Sequence, residues 1–146
     1  MASFQPWRPQ PSGVPPKFAS ITDAAAFGLL GGGAILDCSF ETTSVAVIVA
    51  ARGKVDEATW EAFGSHLDNA IQRAVQEKRR MLVINLAGVE YMSSRGLRAL
   101  TIAKRQADAA GIAITLAAPN EVMREILAIS RYDKLFPVTE TVEAAS

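Results

Sequence analysis

Two adjacent hydroxyls, Ser93 and Ser94, stand inside the stretch VEYMSSRGLRAL, Val89 to Leu100, and are the first candidates for chemistry in this chain. A serine becomes a nucleophile when a base lies within hydrogen-bond reach and a third group orients that base. The chain has one imidazole, His66, set between Phe63 and Leu67 on a helical pattern. There it reads as a flank residue half-covered by its neighbours, not as a base. The G-x-S-x-G turn of many hydrolases is absent, because Met92 and not glycine stands two residues before Ser94. Hydrolysis is therefore disfavoured.

Other reactive groups are scarce. A single cysteine, Cys38, rules out an internal disulfide and a thiolate cluster, and with one histidine the usual zinc sets are out of reach. No metal and no cofactor is expected. The glycine-rich GLLGGGAI, Gly28 to Ile35, follows no strand pattern and leads to no Lys-Ser or Lys-Thr pair. Gly53-Lys54 is followed by Val55, so it is no phosphate-binding loop either.

What remains for the serine pair is structural or regulatory. Short hydroxyl residues cap helices, because the side-chain oxygen accepts from amides left unpaired in the first turn. Capping needs one serine, and two are present. A hydroxyl at a helix start also sits beside the positive end of the helix dipole, where an added phosphoryl group is locally tolerated. Such a group would present about two negative charges to anything docking there.

The elements that position these serines follow from the pattern of apolar residues. Ile35 to Glu41 and Ser44 to Ala51 read as two strands joined by a tight turn at Thr42-Thr43. Asp56 is the expected N-cap of a long helix carrying Trp60, Phe63, Leu67, Ile71 and Val75 on its apolar side. Met81 to Ala87 is apolar almost without alternation, as in a central strand covered on both faces. After the serine turn comes a helix from about Ser94 to Ala109, with Gly111 placed for a left-handed C-cap. Ile112 to Ala117 is a further buried strand. Asn120 caps a third helix with Val122, Met123, Ile126 and Leu127 as its stripe, and KLFPVTET closes the folded part, with Glu143 to Ser146 expected to fray. Strand–helix–strand units require parallel pairing through right-handed crossovers, and the opening hairpin makes the sheet mixed. The expected fold class is an α/β sandwich with a mixed, mostly parallel sheet of four to five strands packed by helices.

About half of the residues are apolar and formal net charge is zero, with 15 basic and 15 acidic residues. The balance argues against direct nucleic-acid binding and against a polybasic membrane anchor. Met1 to Lys17 is Pro-rich and reads as an extended arm. Phe18 to Leu36 is apolar but interrupted by Asp23, which disfavours a signal peptide, and it is too short to insert across a membrane. A short helix over Thr22 to Leu30 is the expected form of that segment. Residues 1–34 are thus read as an extension and 35–142 as one domain.

At SSRGLRAL, preceded by a buried strand and an acidic turn, the sequence resembles STAS domains, especially the bacterial anti-sigma factor antagonists. In that alignment Ser94 takes the place of the phosphoacceptor and Ser93 that of the residue before it. GKVD, Gly53 to Asp56, resembles the family's second landmark, Gly-x-apolar-Asp at a strand end. The similarity spans roughly Ile35 to Val142.

The resemblance implies a cytoplasmic protein with no catalytic activity of its own. An anti-sigma factor with Ser/Thr protein kinase activity would phosphorylate Ser94, and a PP2C-type phosphatase would reverse the modification. The unmodified form would bind the kinase through Asp56, Ser93, Ser94, Arg95, Gly96, Leu97 and Arg98, releasing a sigma factor or other client. Weak homo-oligomerisation stays open. A STAS subunit docked constitutively in a transport assembly is the alternative. Two residues depart from the family pattern: Ser93 replaces a frequent aspartate, and Arg95 replaces a small residue and could pair with a phosphate.

Overall fold

A computed structural model describes residues 36–145. The expectations for residues 1–35, including the Pro-rich arm and the Thr22 to Leu30 helix, lie outside the described residues.

Strand β1 (Asp37–Thr42) turns back on β2 (Ala46–Val55), and the two pair antiparallel. The turn is closed by Thr43, whose Oγ1 accepts from the amides of Val45 and Ala46 at 3.2 and 3.0 Å. Helix α1 (Trp60–Gln76) leads to β3 (Met81–Met92), and α2 (Ser94–Ala109) leads to β4 (Ala113–Ala117). Then come α3 (Glu121–Ser130), a single 3-10 turn (Tyr132–Lys134), the two-residue β5 (Val138–Thr139) and a last helical turn, α4 (Val142–Ala145). The strands lie in the order β1-β2-β3-β4-β5, with β2 to β5 mutually parallel. The mixed, mostly parallel sheet expected from the sequence is the one found.

One sheet face carries Val47, Val49, Leu82, Ile84 and Leu116, all essentially inaccessible to water. Against them pack Phe63 and Leu67 of α1, Leu100 of α2, and Met123 and Leu127 of α3. Full burial of each such side chain is worth about 1.5–3 kcal/mol, so this layer supplies most of the core's stabilisation. The opposite face is thinner. There Ala46, Ile48, Val83 and Ala117 meet Ala145 of α4. Residues 143–145, expected to fray, therefore belong to a helical turn, because Ala145 is small enough to close on that row of short side chains.

Several expectations are corrected in detail. Val75 and Val122 are half exposed, whereas Ala74 and Met123 are buried. At about 100° per residue, the true stripe of α1 runs through Phe63, Leu67, Ala70 and Ala74 and leaves Val75 a step past it. Gly111 does end α2 as expected. Its φ is +76°, its amide donates to the Asp108 carbonyl at 3.1 Å, and the Ile112 amide donates to the Ala107 carbonyl at 2.8 Å. That pair of bonds is the Schellman closure.

Both strands leading towards the serines run further than their apolar cores suggest. β3 continues through Ala87 to Met92, so the acidic segment before the serines is strand, not turn. It accommodates two register shifts against β2, between Ala50 and Arg52 and between Gly53 and Lys54. Gly88 makes one of them feasible, since a Cβ there would lie 2.6 Å from Arg52 Cγ and 3.0 Å from the Ala51 carbonyl oxygen. The strand irregularity hides the usual alternation and shortened the sequence reading.

Candidate functional site

Strand β3 ends with Met92 buried, and a single extended residue, Ser93, separates it from α2. Ser93 is the cap. Its Oγ accepts from the Gly96 amide at 3.4 Å, and its carbonyl accepts from the Leu97 amide at 3.0 Å. Its own amide donates to the Val55 carbonyl at 2.7 Å, which ties the start of α2 to the end of β2. Ser94 is the first helical residue and is exposed, and among the described residues its hydroxyl has no hydrogen-bond partner. The two serines have divided the roles.

Gly96 and Leu97 fix the direction of the helix. Gly96 is buried, and a Cβ there would fall 2.4 Å from Met92 Cγ and 2.6 Å from Val55 Cγ1. Only a residue without a side chain lets α2 approach β2 this closely. Leu97, 9% exposed, belongs to the core. These two candidates hold the site in place from below, while Arg95 and Arg98 are exposed on top.

Asp56 stands at the mouth of the neighbouring β2–α1 loop but does not cap α1. The residue before the helix is Thr59, and no side chain bonds to the helix's first amides. Asp56 Oδ1 instead accepts from the Ala58 amide at 3.0 Å and lies 3.2 Å from Thr59 Oγ1. Thr59 is 2% exposed and gathers the polar groups of the loop. Its hydroxyl donates to the Lys54 carbonyl at 2.6 Å and accepts from the Asp56 amide at 2.9 Å. A buried hydroxyl must be satisfied in this way, and it displaces Asp56 from capping because α1 starts four residues later. Sequence reasoning missed Thr59; the D-x-x-T spacing of Asp56 and Thr59 was the available signal.

Arg95 bridges the two loops. Its Nε lies 2.7 Å from Glu57 Oε1, and its guanidinium sits 5.6 Å from the centre of the Trp60 ring. Glu57 is a further member of this surface that the sequence did not single out, and Trp60, expected on the apolar side of the helix, is partly buried and also takes part in it. The exposed face of α2 continues from Ser94 through Arg98 to Ile102, which is 41% exposed.

The remaining reactive groups lie elsewhere. His66 rests near Phe40, ring centres 6.3 Å apart, and burial lowers its pKa below the ordinary imidazole value. Burial, with the Asp37 charge adding to it, pushes the Cys38 thiol up to about 12. A thiol so reluctant to ionise is a poor nucleophile and a poor metal ligand. A cleft of about 510 Å³ opens on the other sheet face, between Glu41, Arg52, Asn85 and Glu143, and includes no residue of the serine junction.

Residues 38–145 match the family model of the STAS domain. The chain belongs to the STAS domain family. It is 28% identical over 100 residues to the putative anti-sigma factor antagonist BtrV of Bordetella bronchiseptica, covering 68% of this chain and 83% of that protein. Among solved structures, an anti-sigma factor antagonist from Mycobacterium paratuberculosis superposes with a TM-score of 0.63 at 24% identity, covering 75% of this chain and 90% of that one. The Bacillus cell fate determinant SpoIIAA in its phosphorylated form has a TM-score of 0.55 at 21% identity, covering 75% and 96%. In this STAS protein the β3–α2 turn and the β2–α1 loop meet through the Arg95 contacts and the Ser93–Val55 bond, with Ser94 exposed on the turn. Among the described residues, no helix is long and apolar enough to cross a membrane.

Proposed function

We propose that this protein is a partner-switching regulator of the anti-sigma factor antagonist type, with Ser94 as its phosphoacceptor. The observation that carries the reading is the division between the serines. Ser93 is consumed as a cap, and Ser94 stands exposed one residue later with its hydroxyl unengaged among the described residues. The similarity to BtrV, and to a structure determined in a phosphorylated form, supports the same direction.

In the proposed cycle the unmodified protein binds an anti-sigma factor that is also a Ser/Thr kinase, and that partner releases its client. The kinase then supplies ATP, the base and the metal. Ser94 Oγ attacks the γ-phosphorus, the bond to the β-phosphate oxygen breaks, ADP leaves, and the kinase's base takes the hydroxyl proton. This chain contributes an acceptor and a docking surface, not catalysis. A PP2C-type phosphatase returns Ser94 to the hydroxyl form by hydrolysis. The cycle would run in the cytoplasm.

Incubation with the cognate kinase and ATP, followed by intact mass and phosphopeptide mapping, tests the assignment. One phosphate on Ser94, lost in Ser94→Ala, is expected; label on Ser93 with Ser94→Ala still modified overturns it. Calorimetric titration then tests the switch. Ser94→Asp should bind the kinase at least tenfold more weakly, about 1.4 kcal/mol, because its charge must be desolvated at the interface. Ser94→Ala removes a hydroxyl that bonds nothing here and should bind like the wild type. Equal affinities for the wild type and Ser94→Asp, both folded by circular dichroism, would reduce Ser94 to a surface residue.

A further inference from the structure

Two arginines lie within one turn of Ser94, and the structure distinguishes them. Arg95, the next residue, points its guanidinium to Glu57 and the Trp60 ring on the β2–α1 side. Neighbouring helical positions diverge by about 100°, so residues i and i+1 do not face each other. Arg98 stands four residues after Ser94, on the same exposed face of α2. It forms no ion pair among the described residues. An anion followed four residues later by a cation is the favourable order for a helical pair.

Resting on the proposal that Ser94 is the phosphoacceptor, we infer that Arg98, and not Arg95, is the side chain that pairs with the phosphate. Arg95 stays directed to Glu57 and Trp60 in both states. The modification then changes two things at the docking surface: it adds an anion and it occupies the guanidinium of Arg98. A partner group that meets Arg98 in the unmodified protein, a carboxylate by its chemistry, loses that contact when Ser94 is phosphorylated. Arg98 thereby sets how sharply a partner tells the two forms apart.

The test uses full-length protein with phosphoserine incorporated at position 94 during translation, so it does not depend on any kinase. If no kinase modifies Ser94, the proposed function fails while this pairing remains measurable. Phosphorus NMR titration follows the second ionisation of the phosphate, which lies at about 6 for an isolated phosphoserine. A facing guanidinium holds it lower. Arg98→Gln should raise it by about 0.3 units, the size expected of an exposed pair, with partial recovery in Arg98→Lys. Arg95→Gln should move it by less than about 0.1 units, because its guanidinium is directed away to Glu57 and the Trp60 ring. Circular dichroism of each variant establishes that the helix is intact. A shift in Arg95→Gln equal to or larger than that in Arg98→Gln overturns the inference, as does the absence of a shift in both.

Discussion

The two strand-to-helix junctions beneath Ser94 are built in opposite ways. Between β3 and α2 stands one residue, Ser93, which caps the helix with its own hydroxyl. Between β2 and α1 stand four, Asp56 to Thr59, and no side chain caps the helix. The first junction is positioned by contact: Gly96 lies against Val55 with no room for a methyl group. The second is positioned by polar satisfaction around the buried Thr59 hydroxyl. Packing is stiff over tenths of an ångström, whereas Glu57 and Ala58, in the middle of the second junction, are exposed and can exchange contacts with water. The serine proposed as acceptor thus sits on the stiff junction, and the adjustable one lies beside it, where a docking partner would need accommodation.

The largest effect is expected from breaking the stiff side. Overfilling a packed site costs about 1–3 kcal/mol, sometimes more. Val55 is fully buried and β-branched, so it cannot swing aside from a new Cβ. Gly96→Val should therefore lose about 3 kcal/mol of unfolding free energy in a urea titration. Gly96→Ala should lose about 1 kcal/mol, since the helix regains about 1 kcal/mol from replacing glycine. A neutral or stabilising Gly96→Ala would show that contact does not position this junction.

Next in size comes the buried hub of the other junction. Thr59→Val keeps the shape but strands the Lys54 carbonyl and the Asp56 amide, a cost of about 2 kcal/mol. Hydrogen exchange should show the change concentrated in residues 54–60, with the amide of Ser93 still protected by its bond to Val55. Loss of protection at Ser93 as well would mean the two junctions open as one unit.

The same contrast explains what could be read from the sequence. Order and type of the elements were legible, because helical stripes such as Phe63–Leu67–Ile71 and unbroken runs such as Leu82–Val83–Ile84 carry strong periodic signals. The serine junction was legible only through the resemblance to STAS domains at Gly96-Leu97; the structure supplies the physical reason for that glycine, its close approach to Val55 and Met92. The β2–α1 loop was not. Asp56 has the right residue type for a cap, yet the capping choice was decided by whether Thr59 would be buried, which depends on strands distant in sequence. β3 was read five residues short because its register shifts against β2 are tertiary features. The bridge from Arg95 to Glu57 and Trp60 joins residues 35 to 38 positions apart, and no local pattern announces it.

A smaller effect separates the serines themselves. Removing a side-chain cap costs about 0.5–2 kcal/mol, and the 3.4 Å reach from Ser93 Oγ to the Gly96 amide puts this cap at the low end. Ser93→Ala should lower unfolding free energy by about 0.5–1 kcal/mol. Ser94→Ala, with no bond to lose, should stay within about 0.5 kcal/mol of the wild type, as surface substitutions do. If Ser94→Ala proves the costlier of the two, Ser94 is the structural serine and its assignment as acceptor loses its main support.

The smallest effect is expected where the two junctions touch, and it sharpens the comparison most. The Arg95–Glu57 pair is well formed at 2.7 Å, but its side chains are 56% and 69% exposed. Water and salt screen such a pair, and its coupling is typically about 0.2–1 kcal/mol. The Trp60 ring adds a contact of similar size to Arg95, independent of Glu57. A double-mutant cycle of Arg95→Gln and Glu57→Gln should therefore give a coupling of about 0.5 kcal/mol at low salt, shrinking further at 0.5 M. Arg95→Gln alone should cost slightly more than Glu57→Gln, because it also vacates the ring. A coupling near 2 kcal/mol that survives salt would contradict the exposure of the pair. It would mean the loop is clamped to α2 and that both junctions, not one, are rigid.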